Sequence, residues 1–379
     1  MKMTTPMNIR TITVGARESD VPRAARAAHM ARKQLESAGY VVQTTRLALT
    51  TSGFNECADF ATVAQGAEAL ALEAGFDYVS LGRVEPERLA SVPEALAATE
   101  NVFVSARIAG RDGGLDPAAI SGAAAVIRAL AQHTPQGFGN LRFAAAACVA
   151  PGSPFFPASY HSAGEPWLAI GPEAAALAVA ATQPSAEPGT PAQRLTVLIE
   201  QHDAAIRTAL ATFEKETEVY LAGCDWSLAP HPDPACSIGA AIEALSGVPF
   251  GAWGTLAAVR QLTESIRQAR VIQIGFSGVM LPVLEDAVLA QRNTEGRFSL
   301  RDVLAFSAVC GTGLDTIPLA GDLTPQQIAA ILAEVAALAG MYRKPLTARL
   351  MPIPGLQAGN MTAFDFPYFV NTRVLAYQG

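Results

Sequence analysis

Between residues 269 and 322 two glycine-containing turns interrupt apolar runs, and carboxylates and a cysteine stand beside them. Gly311-Thr-Gly313 is followed by Asp315, and Leu319-Ala-Gly321 by Asp322. Two aspartates on a glycine loop have the oxygen chemistry that holds a hard cation such as magnesium or calcium. Asp322 has a structural alternative, because it just precedes Thr324-Pro-Gln-Gln327, a capping-box pattern, and negative charge is favoured at a helix N-terminus. Glu285 falls inside the apolar arc that Leu281, Leu284, Val288 and Leu289 draw on a helical projection. Its carboxylate must then be paired, shifted in pKa or open to a cavity, since an isolated buried charge is too costly.

Cys310 ends the apolar run Phe306-Ser-Ala-Val-Cys310, and Cys224 stands in Gly223-Cys-Asp-Trp-Ser227. A thiol becomes a nucleophile when a base or a positive field lowers its pKa, a part open to His231 for Cys224; an inert buried thiol is the commoner outcome. After the proline- and aromatic-dense Pro151-Gly-Ser-Pro-Phe-Phe-Pro157 come Tyr160, His161 and Glu165. His161 with Glu165 would make an acid/base pair, with Tyr160 as hydrogen-bond donor, if the loop brought them together. Arg349 suits a carboxylate or phosphate, or an ion pair with an acidic residue. The candidate catalytic residues are therefore His161, Glu285 and Cys310, and the candidate metal ligands Asp315 and Asp322. There is no phosphate loop, dinucleotide fingerprint, G-x-S-x-G elbow or H-E-x-x-H helix, so no nucleotide cofactor is expected.

The elements that must position these residues read as alternating strand and helix. Strands are predicted at 9–14, 40–49, 78–81, 102–108 and 141–149, with helices at 21–37, 57–74, 83–97 and 117–132 between them. A helix at 192–216 carries Leu195, Ile199, His202, Ile206, Leu210 and Phe213 on one face, which makes His202 a packing residue. A strand at 219–222 and helices at 237–245 and 256–268 follow. From 269 onward, strands are expected at 271–275 and 306–310, with a helix beginning at Pro282 and another after Thr324. This alternation argues for an α/β architecture with a largely parallel sheet or barrel. The chain is expected to form a single domain over 1–379, with the proline-rich loop and long helix at about 182–216 as an insertion.

Half of the 379 residues are apolar, many of them alanine, yet no run of about 18 uninterrupted apolar residues occurs and no transmembrane helix is expected. A net charge of -7 argues against nucleic acid and anionic membrane surfaces as partners, leaving a small-molecule ligand. The N-terminus shows no signal-peptide hydrophobic region. Five widely spaced cysteines without C-x-x-C fit reduced thiols in a cytoplasm. A homodimer is the default expectation among oligomers.

Five stretches carry a family resemblance: Ile9-Arg-Thr-Ile-Thr13, Pro154-Phe-Phe-Pro-Ala-Ser-Tyr-His161, Asp225-Trp-Ser-Leu-Ala-Pro230, and the segments 277–286 and 307–322. Together they resemble the bacterial and archaeal family catalogued as domain of unknown function 711. The resemblance implies the fold of pyruvate formate-lyase, a single large α/β barrel of about ten strands. It does not carry the radical chemistry, because Arg373-Val-Leu-Ala-Tyr377 has Ala376 where a glycyl radical enzyme needs glycine. The expectation is a cytoplasmic small-molecule enzyme with an acidic, divalent-metal-dependent pocket at the barrel strand ends. The alternative is a non-catalytic ligand-binding or regulatory protein on the same fold.

Overall fold

A computed structural model describes residues 5–50, 59–184 and 188–377. Cys57, the first two residues of the helix expected at 57–74, and three residues of the proline-rich loop lie outside the described residues. Among the described residues nine strands follow in chain order: β1 (Ile9–Ala16), β2 (Val42–Leu49), β3 (Tyr78–Val84), β4 (Val102–Ala109), β5 (Phe143–Ala147), β6 (Trp167–Pro172), β7 (Tyr220–Cys224), β8 (Gly313–Ala320) and β9 (Leu346–Ile353). They form one mixed sheet in the order β7-β6-β1-β2-β3-β4-β5-β9-β8. β1 to β5 run parallel to one another. β6 pairs antiparallel with β1 and β9 antiparallel with β5, while β7 follows β6 and β8 follows β9. The sheet thus has two directional halves, meeting at two antiparallel seams.

Between the outer strands runs the stretch expected to open with a strand at 271–275. It is not a ladder strand. Its backbone makes isolated parallel bridges from Gln273 to Cys224 and from Val279 to Leu228 on one side, and from Pro282 to Asp315 on the other. Gly275 and Ser277, with φ of 62° and 40°, bend the chain out of strand geometry here. Buried Asp225 holds the bend, accepting from the backbone N–H of Phe276 (3.0 Å) and Ser277 (2.8 Å) and from the Ser227 hydroxyl (2.6 Å).

Two further expectations need correction. Residues 282–286 form turns, and the helix begins later, at Ala287–Thr294, because Asp286 caps it by accepting from the N–H of Val288 and Leu289. Residues 306–310 end a helix, Leu300–Phe306, which the capping box of Ser299 and Asp302 starts. The strand comes after the glycines, so Asp315 lies inside β8 rather than on a loop. The box around Thr324 forms as read and opens helix Pro325–Tyr342. The helix at Val21–Ser37 has the bounds expected, whereas 83–97 divides into a 3-10 turn, Pro86–Ser91, and helix Val92–Ala97. The long helix expected at 192–216 is likewise two, Pro191–Ala209 and Phe213–Thr217.

Alanine explains the closeness of the helix layer. β5 reads Phe-Ala-Ala-Ala-Ala and is wholly buried, and helices Pro117–His133 and Pro325–Tyr342 pack against each other over it. At their ends Gly113 and Gly340 touch so closely that a Cβ on Gly340 would meet the Gly113 carbonyl oxygen at 2.6 Å. Among the described residues no helix is long and apolar enough to cross a membrane.

His202 is a packing residue, as its helical face implies. Its ring is buried, with Nδ1 3.0 Å from the Tyr40 hydroxyl and Nε2 3.2 Å from the carbonyl oxygen of Thr5. Burial pulls its pKa below the ordinary histidine value, and does the same at His161. The folded chain therefore prefers both rings neutral, while the unfolded chain titrates at about 6.5. Stability is full above that pH and is lost as pH falls through it toward the lower folded values, by at most about 1.4 kcal/mol per pH unit for each ring. Urea midpoints between pH 7.5 and 5 check this, and His202→Gln should flatten the slope by about half. A midpoint unchanged over that range would contradict it.

Candidate functional site

The two antiparallel seams bring the amino ends of β1 to β4 to the same side as the carboxyl ends of β6 and β9. A cavity opens there, and Arg10 of β1, Arg46 of β2, Tyr78 of β3, Phe103 of β4 and Arg349 of β9 all face it. Glu285 enters from the irregular stretch. The Pro282 to Asp315 bridge, with the bond from Val283 N–H to the Asp315 carbonyl (3.2 Å), fixes its backbone against β8.

Glu285 is the centre of a charged network. Its Oε1 accepts from Arg349 Nη2 at 2.8 Å and its Oε2 from Arg10 Nη1 at 3.4 Å. Arg349 Nε also donates to Asp315 Oδ1 at 2.7 Å, and Arg10 Nε to Glu173 Oε1 at 3.2 Å. A further Arg10 N–H goes to the carbonyl of Pro230. Burial works against the charge on Arg349, but Asp315 and Glu285 more than offset it and hold the guanidinium above its ordinary pKa. Each buried charge here is thus matched, as low dielectric requires.

Arg46 differs. Its Nε donates to Thr44 Oγ1 at 3.1 Å, and its guanidinium lies 5.3 Å from the Phe156 ring centre and 5.7 Å from that of Tyr78. Among the described residues no carboxylate comes within 4.0 Å of it to form a salt bridge. Burial, and next the charge on Arg10, pull its pKa down to about 10. Its two terminal nitrogens make no protein hydrogen bond among the described residues.

The expected site residues are only partly brought together. Glu285 lines the cavity and Asp315 stands behind it, gripping Arg349. Asp322 is exposed and accepts from Gln357 Nε2 at 3.0 Å. Six residues of mostly extended chain separate the two aspartates, on the order of 20 Å, so they do not meet. Cys310 is buried at the amino end of β8, away from the cavity, with its carbonyl oxygen accepting from Lys344 Nζ at 2.8 Å. His161 sits at the opposite end of β2, bonded through its backbone to Leu49 (3.0 Å), with its ring against Trp167. Glu165 pairs with Arg23 at 3.1 Å, so no His161–Glu165 pair forms. Burial pushes the Cys224 thiol far up, and the His231 ring packs on Tyr368 instead of activating it.

Arg10 and Arg46 were missed. The signal available was an arginine inside an otherwise apolar or β-branched strand run, which either faces solvent or points inward at a cavity.

A family model described as Uncharacterised ACR (DUF711) matches residues 1–365. Similar chains include a UPF0210 protein of Pyrobaculum arsenaticum, 30% identical over 371 residues, covering 89% of this chain and 80% of that protein. A UPF0210 protein of Desulforudis audaxviator is 31% identical over 293 residues, covering 74% and 65%, and one of Methanosarcina acetivorans is 29% identical over 332 residues, covering 81% and 70%. The matched stretch thus spans about two thirds to four fifths of these relatives' lengths.

Proposed function

This chain belongs to the DUF711 family of uncharacterised proteins, and from that premise we propose that it binds a small organic anion in the cavity at Arg46, inside a closed barrel. Closure is supported by the stretch 273–282, which bridges β7 on one side and β8 on the other and would serve as a tenth staved element. The observation that carries the ligand reading is Arg46. A half-buried guanidinium among aromatic rings, repelled by Arg10 and lacking a carboxylate of its own, has its missing partner in the ligand.

Turnover is the second reading, favoured by the cost of the network beside it. Buried ion pairs are no more stabilising than apolar side chains of similar volume, so folding stability alone does not account for Arg10, Glu285, Arg349 and Asp315 together. In that reading Glu285, fixed between Arg10 and Arg349, stands next to the reacting end of the bound anion.

Calorimetric titration with small carboxylates and phosphates tests the binding. Arg46→Met should weaken it roughly thirtyfold to several-hundredfold, the range of a charge-assisted bidentate pair, with the urea midpoint unchanged or raised. Equal binding by the variant would refute the reading.

A further inference from the structure

We infer that the ligand is a planar aromatic monocarboxylate, its carboxylate on the terminal edge of Arg46 and its ring in the aromatic sleeve beside it. This rests on the reading of the cavity as an anion site and names the class of anion.

The recognition edge comes first. Phe156 and Tyr78 lie against the Arg46 guanidinium, and Thr44 occupies its Nε. Only the edge formed by its two terminal nitrogens remains. That edge presents parallel N–H bonds in one plane, which match the two coplanar oxygens of a carboxylate.

Among the charged side chains that line the wall, each carboxylate oxygen is already bonded, and the unspent capacity is of the donor kind. Both oxygens of Glu285 are taken by arginines, and those of Glu173 by Arg10 and Asn8. Those of Asp225 are taken by Ser227, Phe276 and Ser277. Arg349 Nη1, like the Arg46 edge, has no protein partner among the described residues. These charged donors call for acceptors on the ligand.

Charge selects between acceptors. The guanidinium groups of Arg10, Arg46 and Arg349 are balanced in number by the carboxylates of Glu173, Glu285 and Asp315, although Arg46 touches none of them. The wall therefore holds no excess positive charge, and a phosphoryl dianion would leave two negative charges uncompensated there where a carboxylate leaves one. The wall accepts a monoanion more readily.

The body of the ligand is set by rings. Tyr78 and Phe103 meet edge to face at 5.3 Å, and Phe103 and Phe156 at 5.4 Å. From the facing side, Phe366 and Tyr368 project from a C-terminal loop and contact each other at 5.4 Å. Asn371 pins the base of that loop, accepting from the Phe364 N–H at 2.8 Å and donating to its carbonyl at 3.0 Å, so the two rings sit on a fixed frame. An aromatic ring adds favourable edge-to-face contacts in such a sleeve beyond the area it buries.

The test titrates the full chain with benzoate, phenylacetate, acetate, phenyl phosphate and inorganic phosphate, then repeats it on Tyr368→Ala, Phe366→Leu and Arg46→Met. Benzoate or phenylacetate should bind roughly tenfold to hundredfold tighter than acetate, from ring burial, and tighter than phenyl phosphate. Tyr368→Ala and Phe366→Leu should each weaken the aromatic carboxylates severalfold and leave acetate unchanged. Acetate matching benzoate, or phenyl phosphate exceeding it, overturns the aromatic monocarboxylate and leaves the anion site standing. No binding by any of the five, or binding that Arg46→Met does not weaken, overturns the anion site itself.

Discussion

Glu285→Ala is expected to destabilise the protein by about 3–5 kcal/mol, the usual cost of removing one partner from a buried ion network. Arg349 has only 8% of its side chain exposed and would keep Asp315 alone, while Arg10 would lose its second carboxylate. Two guanidinium groups would then share a poorly solvated wall with less compensation. Glu285→Gln should cost less, because the amide keeps the volume and one acceptor oxygen. The same change has an opposite effect on the ligand. Removing a negative charge beside Arg46 should tighten anion binding in Glu285→Gln even as the urea midpoint falls. A loss below about 1 kcal/mol in Glu285→Ala would mean that water already screens the network, as it does at surface pairs.

Asp286→Ala is the second large effect, and it is purely structural. The Asp286 carboxylate is fully buried and serves two helices at once. It accepts from Val288 (3.0 Å) and Leu289 (2.9 Å) at the start of Ala287–Thr294, and from Ile238 (2.6 Å) at the start of Ile238–Ser246. The hydroxyl of Ser237, which caps the second helix, donates to it at 2.7 Å. Burial pushes this carboxyl up in pKa, and the converging N–H groups hold it down without fully cancelling that effect. Alanine would remove one cap directly and leave buried N–H groups at both helices without an acceptor, a loss of about 2–4 kcal/mol. Asp286→Asn, which keeps one carbonyl oxygen, should recover part of it. Urea unfolding of the three proteins checks the order, and an alanine variant as stable as the original would show that neither helix start depends on this carboxylate.

The two experiments separate roles that adjacent residues play. Glu285 and Asp286 are neighbours in sequence, yet one faces the cavity and the other the helix layer. The turn at 282–286 is what divides them. On a continuous helix they would have stood about 100° apart on one rod, and Asp286 would not have been free to cap the helix that follows.

Features that depend on a few neighbouring residues are legible in the sequence. Thr324-Pro-Gln-Gln327 specifies a helix start because its side chains and backbone satisfy each other within one turn. The apolar, β-like runs of β1 to β4, and the stripe that places His202 in the core, are likewise local patterns. The apolar run at 306–310 reads as a strand, whereas the capping box of Ser299 and Asp302 starts a helix that ends there, and the strand begins at Gly313. The tertiary structure alone decided what Glu285 and the arginines do. Arg10 and Glu285 are 275 positions apart, and Glu285 and Arg349 are 64 apart. They meet because β6 and β9 pair antiparallel with β1 and β5, which turns carboxyl strand ends toward amino ends. No local pattern encodes that pairing. The charge left uncompensated on Arg46 is likewise a property of the assembled wall, since it depends on which carboxylates the other two arginines have already taken.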